Sequence, residues 1–132
     1  MAKVKGTQTI ETILGRRVIL SSCSGKTNVE ELQWLMDTIL RDAAAWKSLG
    51  WAYVADCSKM QPVSPTEGGV LVQMTKSFVD AGCKAFAFAE GASVMLKVQT
   101  KKNTERSGTG VPENHFATRE EALDWLKKEI KL

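Results

Sequence analysis

The chain is short of the residues that most often mark an enzyme. Its single histidine, His115, excludes a multi-histidine metal centre and any His-x-x-x-His pair. No serine or cysteine nucleophile motif is readable beside it, so His115 is read as structural. Cysteine is scarce as well. Cys23, Cys57 and Cys83 form no Cys-x-x-Cys pair, and any disulfide scheme would leave one of them over. Cys57 and Cys83 lie in apolar, strand-like runs where a free thiol acts as a small hydrophobe, and a reducing cytoplasm is the expected setting. No apolar run approaches the ~18 residues of a membrane span. The start Met-Ala-Lys-Val-Lys-Gly is charged, but no apolar stretch follows it, so no secretory signal is expected.

Glycine-rich phosphate loops are missing too. Gly68-Gly69 falls within the first turns of an expected helix and Gly91 stands alone. Gly108-Thr109-Gly110 follows a helix, whereas the dinucleotide fingerprint opens one. Neither a cofactor nor a metal is therefore expected. A net charge of +3 is too small to argue for nucleic acid. Lys97, Lys101, Lys102 and Arg106 fall close together near a helix end, where a solvated face and the helix dipole account for them.

What is present is a steady alternation of strand-like and helix-like segments, with no repeat and no shift in composition. Gln8–Leu14 and Arg17–Ser22 read as two strands around the turn Gly15-Arg16. The longest helix follows: Val29, Leu32, Leu35, Met36, Ile39, Leu40, Ala43 and Trp46 make one apolar stripe. Asn28 and Glu31 have the spacing of an N-cap and its N3 partner, and Gly50 supplies the stop. Trp51–Cys57 and Cys83–Ala89 read as buried strands, the latter with Phe86 and Phe88 on one face and small residues on the other.

Between those strands a helix runs from Pro65 to about Ala81, closed by Gly82. A shorter helix is expected from Ala92 to about Lys102, then a mobile loop over Asn103–Pro112 and a brief strand at Asn114–Ala117. The last helix opens on Thr118 and Glu121. Trp46 and Trp51 are expected to pack at the end of the long helix, and Trp34 and Trp125 to be partly exposed. Strands alternating with helices imply a mostly parallel sheet with one antiparallel hairpin.

The stretch Ser64-Pro65-Thr66-Glu67 concentrates the functional signal. Ser64 as N-cap, Pro65 at N1 and Glu67 at N3 form a complete helix start. Thr66 is the hydroxyl not needed for capping. A phosphate on Thr66 or Ser64 would sit against free N–H groups and add about −2 charge where a partner could dock. Asp56 ends its strand at the same presumed edge. Paired with Glu67 it would be the one conceivable acid–base set, a weak basis for an enzyme because Glu67 already has a capping role.

Three stretches resemble the STAS-type domain of anti-sigma-factor antagonists, most closely its SpoIIAA-like branch. They are Arg17–Gly25 with Asn28–Leu32, Val54–Val63 leading into Gly69–Met74, and Asp80–Phe88 with the late Phe116–Leu126. Antagonists of this family carry Asp-Ser-Ser-Gly at the start of the helix after the central strand, and a partner kinase phosphorylates the second serine. Laid on without gaps, that motif falls on Ser64-Pro65-Thr66-Glu67, and only Thr66, at the phospho-acceptor position, keeps a hydroxyl.

The expectation is thus one STAS/SpoIIAA-like α/β domain over residues 1–132. It would have a four- to five-stranded mixed, mostly parallel sheet, an N-terminal hairpin and helices mainly on one side. Its expected role is that of a non-enzymatic, bacterial, cytoplasmic regulatory module. The resemblance implies a protein partner, a kinase or anti-sigma-type regulator, or a second copy of the chain. Asp56, Ser58, Ser64, Thr66, Glu67, Gly68 and Gly69 would form the contact surface, with Thr66 and Ser64 as phospho-acceptors. The alternative is a carrier or sensor of a small apolar or anionic ligand held between helices and sheet.

Overall fold

Six strands follow one another across a single sheet in chain order. The computed structural model describes residues 2–132. Strands β1 (Lys3–Lys5), β2 (Gln8–Thr12) and β3 (Val18–Gly25) form an antiparallel meander, and β4 (Trp51–Met60), β5 (Cys83–Ala89) and β6 (Glu113–Phe116) extend it in parallel with β3. This is the expected mixed sheet with its N-terminal hairpin, enlarged by the edge strand β1. Lys-Val-Lys is too short and too charged to show the apolar alternation by which strands are recognised.

Alternation along the central strands sorts the core into two layers. Trp51, Tyr53, Ala55 and Cys57 of β4, with Phe86 and Phe88 of β5, face helices α1 (Val29–Ala43), α2 (Pro65–Asp80) and α3 (Val94–Ser107). Ala52 and Val54, with Ala85 and Ala87, face the other side, where Ala122 of helix α4 (Arg119–Trp125) and the following Leu126 cover them. The alanine faces of the two strands let this last helix lie close to the sheet. Helices are therefore mainly on one side, three against one.

Local chemistry sets the element ends. Ser64 caps α2 with a complete capping box and Pro65 at the first helical turn. Gly82 ends the same helix at φ 97°, and a Cβ there would collide with the backbone carbonyl of Lys47. Trp51, fully buried, donates its indole N–H to the Ala81 carbonyl at 2.9 Å and ties that helix end to β4.

Several sequence expectations need correction. Asn28 caps α1 by accepting from the Glu31 N–H, but the Glu31 carboxylate does not reach back to close the box. It turns instead to the Thr7 hydroxyl and N–H (2.5 and 3.3 Å) and the Thr27 hydroxyl (3.1 Å), bracing the β1–β2 turn against the helix. The expected Asn103–Pro112 loop is helical as far as Ser107. Thr104 and Ser107 place their hydroxyls on the carbonyls of Thr100 and Thr104 inside the helix rather than breaking it, and Gly108, left-handed at φ 64°, stops the chain there. That helix begins at Val94 on the Ser93 cap, two residues later than expected, and β6 begins and ends one residue earlier.

All three thiols are buried and unpaired. Burial raises the Cys23 and Cys57 thiols and pushes Cys83 up to about 12. The native protein is expected to leave Ellman's reagent unreduced at mildly alkaline pH and to release three equivalents of thiol only after denaturant is added. A fast native phase would contradict this packing.

Candidate functional site

The start of α2 is exposed, and its hydrogen bonds divide the two hydroxyls sharply. Ser64 donates its N–H to Glu67 Oε1 at 3.1 Å and its hydroxyl to Oε2 at 2.6 Å, and it accepts from the Glu67 N–H at 3.4 Å. The Ser64 hydroxyl and N–H hold the Glu67 carboxyl below its usual value. Ser64 and Glu67 are thus occupied with each other. Thr66 is exposed, and among the described residues its hydroxyl has no hydrogen-bond partner. Gly68 is buried on the side facing α3, where a Cβ would meet Asn103 Oδ1 at 3.6 Å, while Gly69 faces open space.

Helix α3 braces this start. The Gln99 carboxamide accepts from the Val63 N–H and donates to the Val63 carbonyl, both at 3.1 Å, which fixes the backbone just before Ser64. A groove of about 300 Å³ runs between the two helices, lined by Ser64, Pro65, Gly68, Lys102, Asn103 and Arg106. Gln99, Lys102 and Arg106 were missed as neighbours of the α2 start. The basic cluster was visible in the sequence, but its place beside Ser64 depends on how α3 crosses α2.

Asp56 and Ser58 lie elsewhere. They line a polar cleft of about 380 Å³ at the carboxyl ends of β3 and β4, with Ser22, Ser24, Lys59, Thr118 and Arg119. Asp56 Oδ1 accepts from the Ser58 N–H (3.0 Å) and hydroxyl (2.6 Å), and Oδ2 accepts from Arg119 Nε at 2.7 Å. Burial opposes ionisation, but the Ser58 donors and the Arg119 guanidinium outweigh it and hold the carboxyl below the usual aspartate value. The residues named from the sequence therefore divide between two hollows rather than forming one patch, and the notional Asp56–Glu67 pair is engaged on separate partners.

A depressed folded-state pKa contributes stability that is present above the ordinary aspartate pKa of about 4 and is lost as pH falls through the lower folded value. Asp56→Asn is expected to flatten the acid limb of a stability–pH curve in that window, followed by urea unfolding. An unchanged limb would mean that the Ser58 and Arg119 contacts contribute nothing.

The histidine belongs to a third cluster. His115 Nδ1 lies 2.9 Å from Glu90 Oε2 and its Nε2 3.2 Å from Glu113 Oε2, while its ring stacks on Phe88 at 5.1 Å. The Thr100 hydroxyl of α3 also donates to Glu90. The His115 and Glu90 side chains are only 7% and 3% exposed, so the cluster joins β5, β6 and α3 from within. Its partners lie 25 residues apart in the chain, and Glu90 carries no local signal that could have flagged it. Among the described residues no group of His, Cys, Asp and Glu side chains is arranged to hold a metal ion. Among the described residues no helix is long and apolar enough to cross a membrane.

Between the three-helix layer and the sheet lies an apolar hollow of about 60 Å³, walled by Leu35, Tyr53, Met74, Phe86 and Phe88. The Tyr53 and Ser21 hydroxyls share a 2.5 Å hydrogen bond at its wall.

No protein-family model matches the sequence, nor does any curated protein. Solved structures do match. An uncharacterised protein of the DUF3478 family from Shewanella loihica PV-4, described as having a SpoIIAA-like fold, superposes with a TM-score of 0.70 at 16% identity, over 96% of this chain and 98% of that one. The fold is SpoIIAA-like. An anti-sigma factor antagonist from Mycobacterium paratuberculosis superposes with a TM-score of 0.56 at 15% identity, over 92% and 94% of the two chains. At these identities the similarity extends to the fold and not to individual side chains.

Proposed function

We propose that this SpoIIAA-like protein is a non-enzymatic regulatory module that meets a protein partner at the start of α2, with Thr66 as the modifiable residue. The observation that carries this reading is the contrast within one helical turn. Ser64 is committed to Glu67 by three hydrogen bonds, whereas Thr66 is exposed and unengaged. A phosphate there would lie at the positive end of the α2 dipole and within the surroundings that Lys102 and Arg106 make positive. The anti-sigma factor antagonist of the same fold supports a regulatory role with protein partners. Asp56 and Ser58, in the neighbouring cleft, would contribute to a contact large enough to span both hollows.

Incubation with ATP and kinase fractions of the host, followed by mass spectrometry of the Gln61–Lys76 peptide, tests the modification. Phosphate is expected on Thr66 and not on Ser64, and Thr66→Ala should abolish it. No phosphate on either residue would remove the switch from this reading.

A second reading, a carrier or sensor of a small ligand, is favoured by the apolar hollow under α3 alone. Its volume suits a compact apolar group. Native mass spectrometry of freshly purified protein would reveal a bound mass. Filling the hollow with Ala55→Leu should displace it.

A further inference from the structure

The polar cleft beside Asp56 is shaped by one irregularity in the sheet. Ser22 of β3 pairs with Asp56 of β4, but Ser24 pairs with Lys59, so β4 carries one extra residue between them. Directly paired residues share a face of the sheet. Strict alternation would send Lys59 toward the three-helix layer with Cys57. The bulge turns it instead onto the side of Ser24 and Asp56. On β2, Thr9 stands opposite Ser22, so Thr9, Ser22 and Asp56 form one polar rung across three strands. Arg119, the first residue of α4, reaches that rung at Asp56 Oδ2, 2.7 Å from its Nε.

Several groups in this cleft have no internal role. Among the described residues the hydroxyls of Thr9, Ser22 and Ser24 and the ammonium of Lys59 have no hydrogen-bond or ion-pair partner. Arg119 spends Nε on Asp56, and its Nη1 has only the half-exposed Glu11 carboxylate at 3.8 Å, a weak pairing. The Nη1–Nη2 fork is therefore open to a stronger oxyanion, with Asp56 as the residue that positions it. The Asp56 oxygens are taken up by Ser58 and Arg119, and Glu120 is exposed.

The lining also limits what can bind. It holds no tryptophan, tyrosine, phenylalanine or histidine on which a base could stack, and Ala117 and Cys23 are its only apolar members. A nucleotide and an apolar molecule are both poorly matched to it. About 380 Å³ is more than an inorganic anion fills and lies in the range of small-molecule sites. We propose that the cleft binds a small phosphorylated polyol of the sugar-phosphate class, its phosphate on Arg119 and Lys59 and its hydroxyls on Thr9, Ser22 and Ser24. Hydroxyl side chains both donate and accept, as the hydroxyls of a polyol do. This goes beyond the partner contact at the start of α2 and stands or falls separately from it.

Calorimetric titration of the full chain tests it, with glucose 6-phosphate, glycerol 3-phosphate, inorganic phosphate, glucose and AMP as probes. At least one of the two polyol phosphates should bind about tenfold more tightly than inorganic phosphate or AMP, and glucose should give no measurable heat. For that ligand Lys59→Ala, at an exposed and unpaired position, should weaken binding about tenfold, and Arg119→Ala about 30-fold. Arg119→Lys should recover little, because one ammonium cannot serve Asp56 and the phosphate together. Ser22→Ala with Ser24→Ala should lose about tenfold for the polyol phosphate and leave inorganic phosphate unchanged. Lys97→Gln with Lys101→Gln removes two charges on the other side of the sheet and should change nothing. Amide shift changes on titration should gather at Ser22, Ser24, Lys59 and Arg119. Unchanged thermal unfolding of the Lys59 and serine variants would show that they fold. Failure of both polyol phosphates to bind, affinity no better than that of inorganic phosphate, or full binding by Lys59→Ala would overturn the proposal. So would shifts centred on Lys102 and Arg106, because they would assign the anion to the groove beside α2.

Discussion

Phe78→Ala is expected to lower the free energy of unfolding by about 4 kcal/mol, the largest effect of any single change considered. Phe78 is fully buried near the middle of the three-helix layer. Its ring meets Trp51 edge-on at 5.5 Å and Tyr53 at 5.1 Å, so truncation removes its own buried area and both aromatic contacts together. The cavity would open between β4 and α2, where Trp51 is held by its hydrogen bond to Ala81 and cannot swing in to fill it. Urea unfolding should show a lower midpoint with an unchanged slope, the sign that stability has fallen without a change in the surface exposed. A loss below about 1 kcal/mol would mean that the layer collapses freely and is not close-packed.

Glu90→Ala should cost about 3 kcal/mol, by a different route. Nothing large is removed, but His115 Nδ1 and the Thr100 hydroxyl lose their shared acceptor inside the protein. Glu90→Gln keeps an acceptor oxygen in place and should cost about 1 kcal/mol. The two variants together separate loss of hydrogen bonding from loss of charge. Because Thr100 belongs to α3, amide exchange in α3 should quicken more than in α1, which packs on the sheet through Leu32, Leu35 and Ile39. Equal acceleration everywhere would show that Glu90 stabilises the sheet as a whole and does not anchor that helix.

These two residues mark how far the sequence could be read. Phe78 lies on the apolar stripe of α2, and its burial follows from helical spacing, as do the Ser64 capping box and the run of β5. Each is decided within a few neighbouring residues. Glu90 could not be found in the same way, because its role exists only after β5, β6 and α3 have come together. The full extent of α3 was hidden for the same reason. Asn103, Thr104 and Ser107 have loop-like preferences on their own. They are helical because Gln99 grips Val63, Thr100 grips Glu90, and the threonine and serine hydroxyls fold back on the helix. The candidate site was legible at Ser64–Gly69 and at Asp56. That these lie along separate hollows was not, since it depends on where α3 and Arg119 cross the ends of the strands.

The small strand β1 has a bearing on self-association. An open sheet has two free edges, and each invites a strand from another copy. On one side the edge is three residues of Lys-Val-Lys, whose lysines pair at the surface with Asp42 at 2.7 Å and Glu30 at 3.7 Å. On the other, β6 offers only four residues. A second copy docking there would have to bury ammonium groups along one border or stop after a few hydrogen bonds along the other. The protein is thereby guarded against sheet-to-sheet growth at high concentration, and any pairing of copies is left to its helical faces.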